Sequence, residues 1–156
     1  MNAYEKAMSA MGELFARDCQ FALATAVDNV PSVRVVDTYY DAGGFYIVTY
    51  GKSQKAKQME ENAHVALCHN LYRFNGTAHR IGHPLDARNT GIREKLIDVF
   101  APWYFAHNDE NDPHMCYIRI DLIDGFFHKD GTGYKVDFTA KEADAFPFDF
   151  NPVITQ

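Results

Sequence analysis

The sequence holds no apolar run near the length of about 18 residues that a membrane-crossing helix needs. Its first residues, MNAYEKAMSAMGELF, lack the basic-then-apolar order of a signal peptide, so a cytoplasmic protein is expected, with no membrane partner. Basic charge is also short. Fifteen Lys and Arg stand against 21 Asp and Glu, a net charge of -6. That balance excludes general binding to nucleic acid or to an anionic membrane, because both need a net basic surface. Cys19, Cys68 and Cys116 are odd in number, far apart and free of any CxxC pair, so neither a disulfide framework nor a zinc knuckle is indicated. No P-loop, glycine-rich nucleotide loop or Ser/His/Asp order is present, and catalytic residues stay unknown. His79 and His83 are four apart, but Arg80-Ile81-Gly82 between them reads as strand end and turn, so no helical face brings them together and no metal site is expected. His107 and His114 flank an acidic segment, and nothing in their spacing gives them an acid-base role.

What is there suits one domain spanning residues 1 to 156: 47% hydrophobic and 14% aromatic residues supply an ample core. Tyr4, Met8, Met11 and Leu14-Phe15 recur at helical spacing, which predicts an amphipathic helix ending near Arg17. The period then changes. FALATAV (21–27), the turn residues DNVP (28–31) and SVRVVDTYY (32–40) read as a hairpin, and DAGG (41–44) turns the chain into a third strand, FYIVTY (45–50). Ser53 is placed to cap a helix running to about Asn62. Further strands are predicted over 65–70, 74–82, 115–123 and 125–129, and a second helix over 86–100.

Six or seven short strands with few helices predict a mainly β (α+β) protein, an antiparallel barrel that is closed or partly closed, since closure removes exposed strand edges. The tail DAFPFDFNPVITQ (144–156) reads as an irregular arm on the body or on a partner chain.

An acidic chain that gathers Lys52, Lys55 and Lys57 around one helix start asks for a reason. If a strand ends at Thr49 and a helix begins at Ser53, the loop presents a hydroxyl, free helix N–H groups and two cations, Lys52 and Lys55, which is the composition of a phosphate site. Arg34 on a neighbouring strand can aim its two-pronged guanidinium at the same place. The alternative is that these lysines sit in water.

The order LATAVDNVPSVRVVD, FYIVTYGKSQKAKQMEENAHVALC, NGTAHRI resembles the flavin-binding split-barrel family related to pyridoxamine 5'-phosphate oxidase. The shared features are an arginine-bearing second strand, a strand ending in threonine, S-x-K opening a helix, and Asn62-Ala63 where the family often has Asn-Pro. The resemblance covers roughly residues 20 to 82, more weakly 115 to 129. It implies a six- to seven-stranded antiparallel split β-barrel binding FMN at a homodimer interface. Arg34, Val35, Val36 and Asp37 would run along the ribityl chain and isoalloxazine edge, Val48 and Thr49 would supply backbone and hydroxyl contacts, and Ser53, Gln54 and Lys55 would hold the phosphate. Relatives often carry arginine where this chain has Gln54, a gap that Lys52 is placed to fill.

The family's vitamin B6 oxidases carry an arginine-rich C-terminal segment, whereas this chain has no arginine after Arg119. Oxidation of vitamin B6 is therefore not expected. The resemblance implies an FMN-dependent oxidoreductase passing electrons or hydride between a small donor such as NAD(P)H and a small-molecule acceptor. A non-catalytic flavin- or haem-binding or redox-sensing protein is the alternative, and a purely structural dimer a third. The single tryptophan, Trp103 in APWYFAHND, has two readings: a cover for the flavin ring, or an aromatic plug in a core or interface.

Overall fold

The computed structural model describes residues 1–149. Helix α1 (Ala3–Phe15) is capped by Asn2, whose side chain accepts from the Glu5 amide at 2.8 Å. Its helical stripe buries Ala7, Ala10, Met11 and Phe15. Phe15 meets Phe21, Phe45, Tyr72, Phe74 and Phe127 with ring centroids 5.3–6.3 Å apart, so the helix end plugs the barrel interior.

Strands β1 (Cys19–Val27) and β2 (Val30–Asp41) are joined by Asp28 and Asn29, both at positive φ, the two-residue turn whose twist matches a hairpin. After Ala42-Gly43, β3 (Gly44–Tyr50) runs back, and α2 (Gln54–Glu61) buries Ala56 and Met59 in the core. Then come β4 (His64–His69), β5 (Tyr72–Gly82), a 3-10 turn over Ala87–Asn89, α3 (Thr90–Val99), α4 (Tyr104–His107), β6 (Met115–Lys129), β7 (Thr132–Asp137) and β8 (Glu142–Pro147). The strand order is β3-β2-β1-β4-β5-β6, and β3 pairs β6 to close a six-stranded antiparallel barrel. The pair β7-β8 extends the sheet beyond β6.

The barrel, α1 and α2 match the sequence reading, β7 and α4 were not foreseen, and three expected elements are corrected. The two strands expected over 115–123 and 125–129 are one. The first part of β6 closes the barrel against β3, and its last part carries β7. Gly125, which reads as a break, is a close-packing position: a Cβ there would collide with the Phe74 ring. The helix expected over 86–100 begins as the 3-10 turn capped by Asp86, whose carboxylate accepts from the Arg88 amide at 3.0 Å. Residues 144–147 of the expected irregular arm belong to β8, and 150–156 lie outside the described residues.

Two apolar clusters result. One fills the barrel, with Phe21, Phe45, Phe74 and Phe127 among its buried rings. The other lies outside it, where α3 and α4 pack Leu96, Phe100 and Tyr104 onto Met115 and Tyr117. Among the described residues no helix is long and apolar enough to cross a membrane.

Candidate ligand cleft where two strands part

The ladder between β2 and β3 is short, running only from Tyr39↔Tyr46 to Asp41↔Gly44. Beyond it the strands separate. Among the described residues, Arg34–Asp37 pair only with β1, and Ile47–Tyr50 only with β6. The two edges that face each other therefore lack ladder partners, and a parted pair of strands offers backbone donors and acceptors to whatever enters. A cleft of about 530 Å³ opens there, lined by Val35, Val36, Asp37, Ile47 and Val48, by Lys55 towards α2, and by Asp18, Gln20, Trp103, His107 and Asn108.

At the α2 side, the turn Tyr50–Ser53 is held from behind. The Gly51 amide donates to the His114 carbonyl at 2.6 Å, and Arg80 donates to the Gly51 carbonyl at 2.7 Å. A Cβ on Gly51 would sit 2.6 Å from the Arg80 guanidinium and 2.7 Å from the His114 oxygen, so this position requires glycine. Ser53 caps α2, its Oγ accepting from the Ala56 amide at 3.3 Å and lying 3.3 Å from the Thr49 hydroxyl. Lys55 is half-buried. Burial first, and the Arg34 charge second, hold its ammonium below the usual lysine range. A buried cation beside a second cation is poised for an anion.

Of the residues singled out from sequence, Val35, Val36, Asp37, Val48, Lys55 and Trp103 line this one cleft. Arg34 does not line it. Its guanidinium donates to the Thr25 hydroxyl at 2.8 Å, to Gln58 at 2.5 Å and to the Leu23 carbonyl at 3.3 Å, while its charge still reaches Lys55. Thr49 and Ser53 stand at the α2 end, and Lys52 and Gln54 are exposed. Arg80 of β5, passed over in the sequence, bonds the same turn and pairs with Glu60 at 3.5 Å.

At the far end, the Trp103 indole N–H donates to Asp18 at 2.8 Å, and its ring lies 4.5 Å from that of Phe100. Asp18 also acts on Asp37. Burial, then the bond to Asp18 and its charge, push the Asp37 carboxyl up, while Gln20 acts the other way. Asp18, Gln20 and Asn108 were not foreseen. Gln20 was within reach, because a two-residue turn at 28–29 fixes Gln20 opposite Asp37 by counting along the hairpin.

A larger cavity, about 1080 Å³, lies elsewhere, between the start of α1 and strands β4 to β8. Its wall mixes charges of both signs, such as Arg73, Lys135, Asp124 and Asp144, and holds none of the candidate cofactor-binding residues. The smaller cleft has the convergent chemistry. Among the described residues no group of His, Cys, Asp or Glu is arranged to hold a metal. His79 pairs with Asp121 at 3.0 Å, and His83 accepts from the Leu85 amide and donates to the Asp112 carbonyl, both at 3.0 Å.

The sequence profile of the family described as pyridoxamine 5'-phosphate oxidase matches residues 8–128, a span that includes every residue lining the cleft. No functionally curated protein matches significantly. Solved structures with the same fold include a NimC/NimA family protein from Clostridium acetobutylicum, 21% identical at a TM-score of 0.58 over 94% of this chain and 97% of that one. A pyridoxamine 5'-phosphate oxidase-related, FMN binding protein from Nostoc punctiforme is 15% identical at a TM-score of 0.56, over 96% and 98% of the two chains. The haem storage protein HutZ from Vibrio cholerae is 12% identical at a TM-score of 0.58, over 78% and 91%. At these identities the likeness shows the fold.

Proposed function

Because the chain belongs to the pyridoxamine 5'-phosphate oxidase family, we propose that the cleft between β2 and β3 binds FMN and that the protein is an FMN-dependent oxidoreductase. The observation that carries this reading is the polarity of the cleft: a capped helix start with Ser53 and Lys55 at one end, unpaired strand edges in the middle, and an indole at the other. That sequence of groups suits a phosphate, a polyhydroxyl chain and a planar ring in turn. The volume is in the range of small-molecule sites. Thr49, Ser53 and Lys55 hold the phosphate, with Arg34 and Arg80 adding positive charge from behind. Val35, Val36 and Val48 flank the ring and chain, and Trp103 walls the ring end. Bound FMN supplies the hydride and electron chemistry, which is why the protein needs no catalytic constellation of its own. The donor is a small reductant such as NAD(P)H. Pyridoxamine 5'-phosphate itself should not be turned over, because the chain has no arginine after Arg119 to grip a second phosphate.

The same reading makes the protein a homodimer. On the outer face of β2, Val33 and Val35 are 70% and 65% exposed. They stand opposite Ala24 and Ala22 of β1, which pair with Ala66 and Cys68 of β4, so an apolar strip runs from the cleft across three strands. A second copy laid on this strip by a two-fold axis would cover it and close both clefts. The decisive experiment is reconstitution with FMN followed by absorbance and sedimentation. A stoichiometric flavin spectrum on a dimer is expected; a Soret band after haem addition, with no flavin uptake, would replace this reading with haem binding.

A further inference from the structure

The aromatic wall of the cleft rests on a buried polar chain whose members do not line the cleft. Tyr104 and Tyr117 are both fully buried, with their hydroxyls 2.5 Å apart. Tyr104 donates to Glu110 at 3.0 Å, and Arg93 of α3 grips the same carboxylate with two bonds of 2.8 and 2.6 Å. Arg93 holds Glu110 below the usual carboxylate range, so Glu110 accepts. Burial pushes the Tyr117 phenol up to about 12 and raises Tyr104 as well, so both keep their protons at neutral pH. The direction of the chain is thereby fixed: Tyr117 donates to Tyr104, Tyr104 to Glu110.

This chain joins the barrel to the wall. Tyr117 pairs across the ladder with Val48, a cleft residue. Tyr104 follows Trp103 directly, and its carbonyl accepts from the Asn108 side chain at 2.9 Å, so cleft residues stand on both sides of it. The surrounding cluster is otherwise apolar, built from Leu96, Phe100 and Met115. A phenylalanine at 117 would fill the same space and leave Tyr104 still donating to Glu110, at a net cost of about 1 kcal/mol for one hydrogen bond. The Tyr117 hydroxyl is thus a small contribution to stability, whereas a directional bond fixes where α4 sits.

We propose that Tyr104 and Tyr117 are positioning residues, which hold the Trp103–Asn108 wall at the spacing that the planar end of the ligand requires. The inference rests on the flavin reading for the identity of that ligand. The sole tryptophan makes the wall observable, since all tryptophan emission comes from Trp103. The test compares the wild type with Tyr117→Phe and with the double variant Tyr104→Phe/Tyr117→Phe. It measures acrylamide quenching of Trp103 without ligand, then affinity for FMN and for riboflavin. In both variants Trp103 should be quenched more readily, with Tyr117→Phe melting within a few degrees of wild type and the double variant lower, because it also takes a donor from Glu110. Affinity for FMN and riboflavin should fall by the same factor, about threefold to tenfold for one lost hydrogen-bond's worth of placement, leaving their ratio unchanged because the phosphate end is untouched. Folded variants with wild-type quenching and wild-type affinities would overturn the proposal, and so would a loss confined to FMN. If the wild type binds neither flavin, the cofactor reading fails, while the ligand-free quenching still decides whether the hydroxyls place the wall.

Discussion

At one end of the cleft, Thr49, Ser53 and Lys55 come from a single short stretch of chain, where a strand turns into a helix. At the other, Asp18, Asp37 and Trp103 come from three distant places, brought together by the β1–β2 ladder and by α4 packing on the barrel. The first end is built by local rules: a hydroxyl caps a helix, a glycine lets Arg80 and His114 approach the turn, and a lysine sits on the first turn. The second end depends on register and on a separate apolar cluster. A local site keeps its geometry as long as one turn holds, whereas an assembled site responds to changes far away in the chain.

The largest effect should come from the local end. Lys55→Glu places a like charge where the proposed site would hold the phosphate and should weaken FMN binding by about 2 kcal/mol or more, roughly thirtyfold, with little change in melting temperature because the side chain is only half-buried. Fluorescence titration gives the number, and an unchanged dissociation constant would return Lys55 to the status of a solvated lysine. The same contacts predict that wild-type protein prefers FMN over riboflavin, by about tenfold or more, since charge-assisted bonds exceed neutral ones. Equal affinities would remove the phosphate from this end of the cleft.

A smaller effect separates holding the phosphate from building the turn. Ser53→Ala removes the cap on α2 and should lower stability by about 1 kcal/mol, a few degrees of melting temperature for a chain of this size. It should also loosen the Thr49 hydroxyl that lies beside it. A variant with full stability would mean that water replaces the cap at no cost.

The same contrast governs what could be read from sequence. Strand and helix boundaries in the first half were legible because turn chemistry is local: Asp28-Asn29 and Ala42-Gly43 mark hairpins, and Ser53 marks a helix start. The barrel followed from strand count and the need to hide edges. The pair β7-β8 was missed although Asp130-Gly131, both at positive φ, is a hairpin turn, because Thr132–Asp137 and Glu142–Pro147 are polar strands at the sheet edge with little apolar pattern. At the cleft, the helix-start residues were visible and Trp103 stood out by its aromatic neighbours. Asp18 and Asn108 carry no local mark. Their place depends on how α4 docks, and that is fixed by Tyr104, Tyr117 and Glu110, whose contacts span the chain from α4 to β6.

The smallest predicted effect tests the assembled end without any ligand. An aspartate in the unfolded chain titrates near 3.9. In the fold, burial first, then the bond to Asp18 and its charge, raise Asp37, against the opposing pull of Gln20. A proton bound more tightly in the folded than in the unfolded state favours folding at low pH, and that contribution is lost as the pH rises through the folded-state value. Above that value the Asp37 charge stands beside Asp18, which accepts from Trp103, with Lys55 and His107 on the same cleft wall. Asp37→Asn keeps the size and the ability to bond Gln20 and Asp18 but removes the Asp37 charge. Thermal melts should therefore show the variant no more stable than wild type near pH 4 and gaining on it as the pH is raised towards 7. The gain should stay below about 4 °C, because a part-exposed pair is screened by water and salt. Parallel melting profiles across that range would mean that burial and Asp18 do not raise Asp37 in the folded protein.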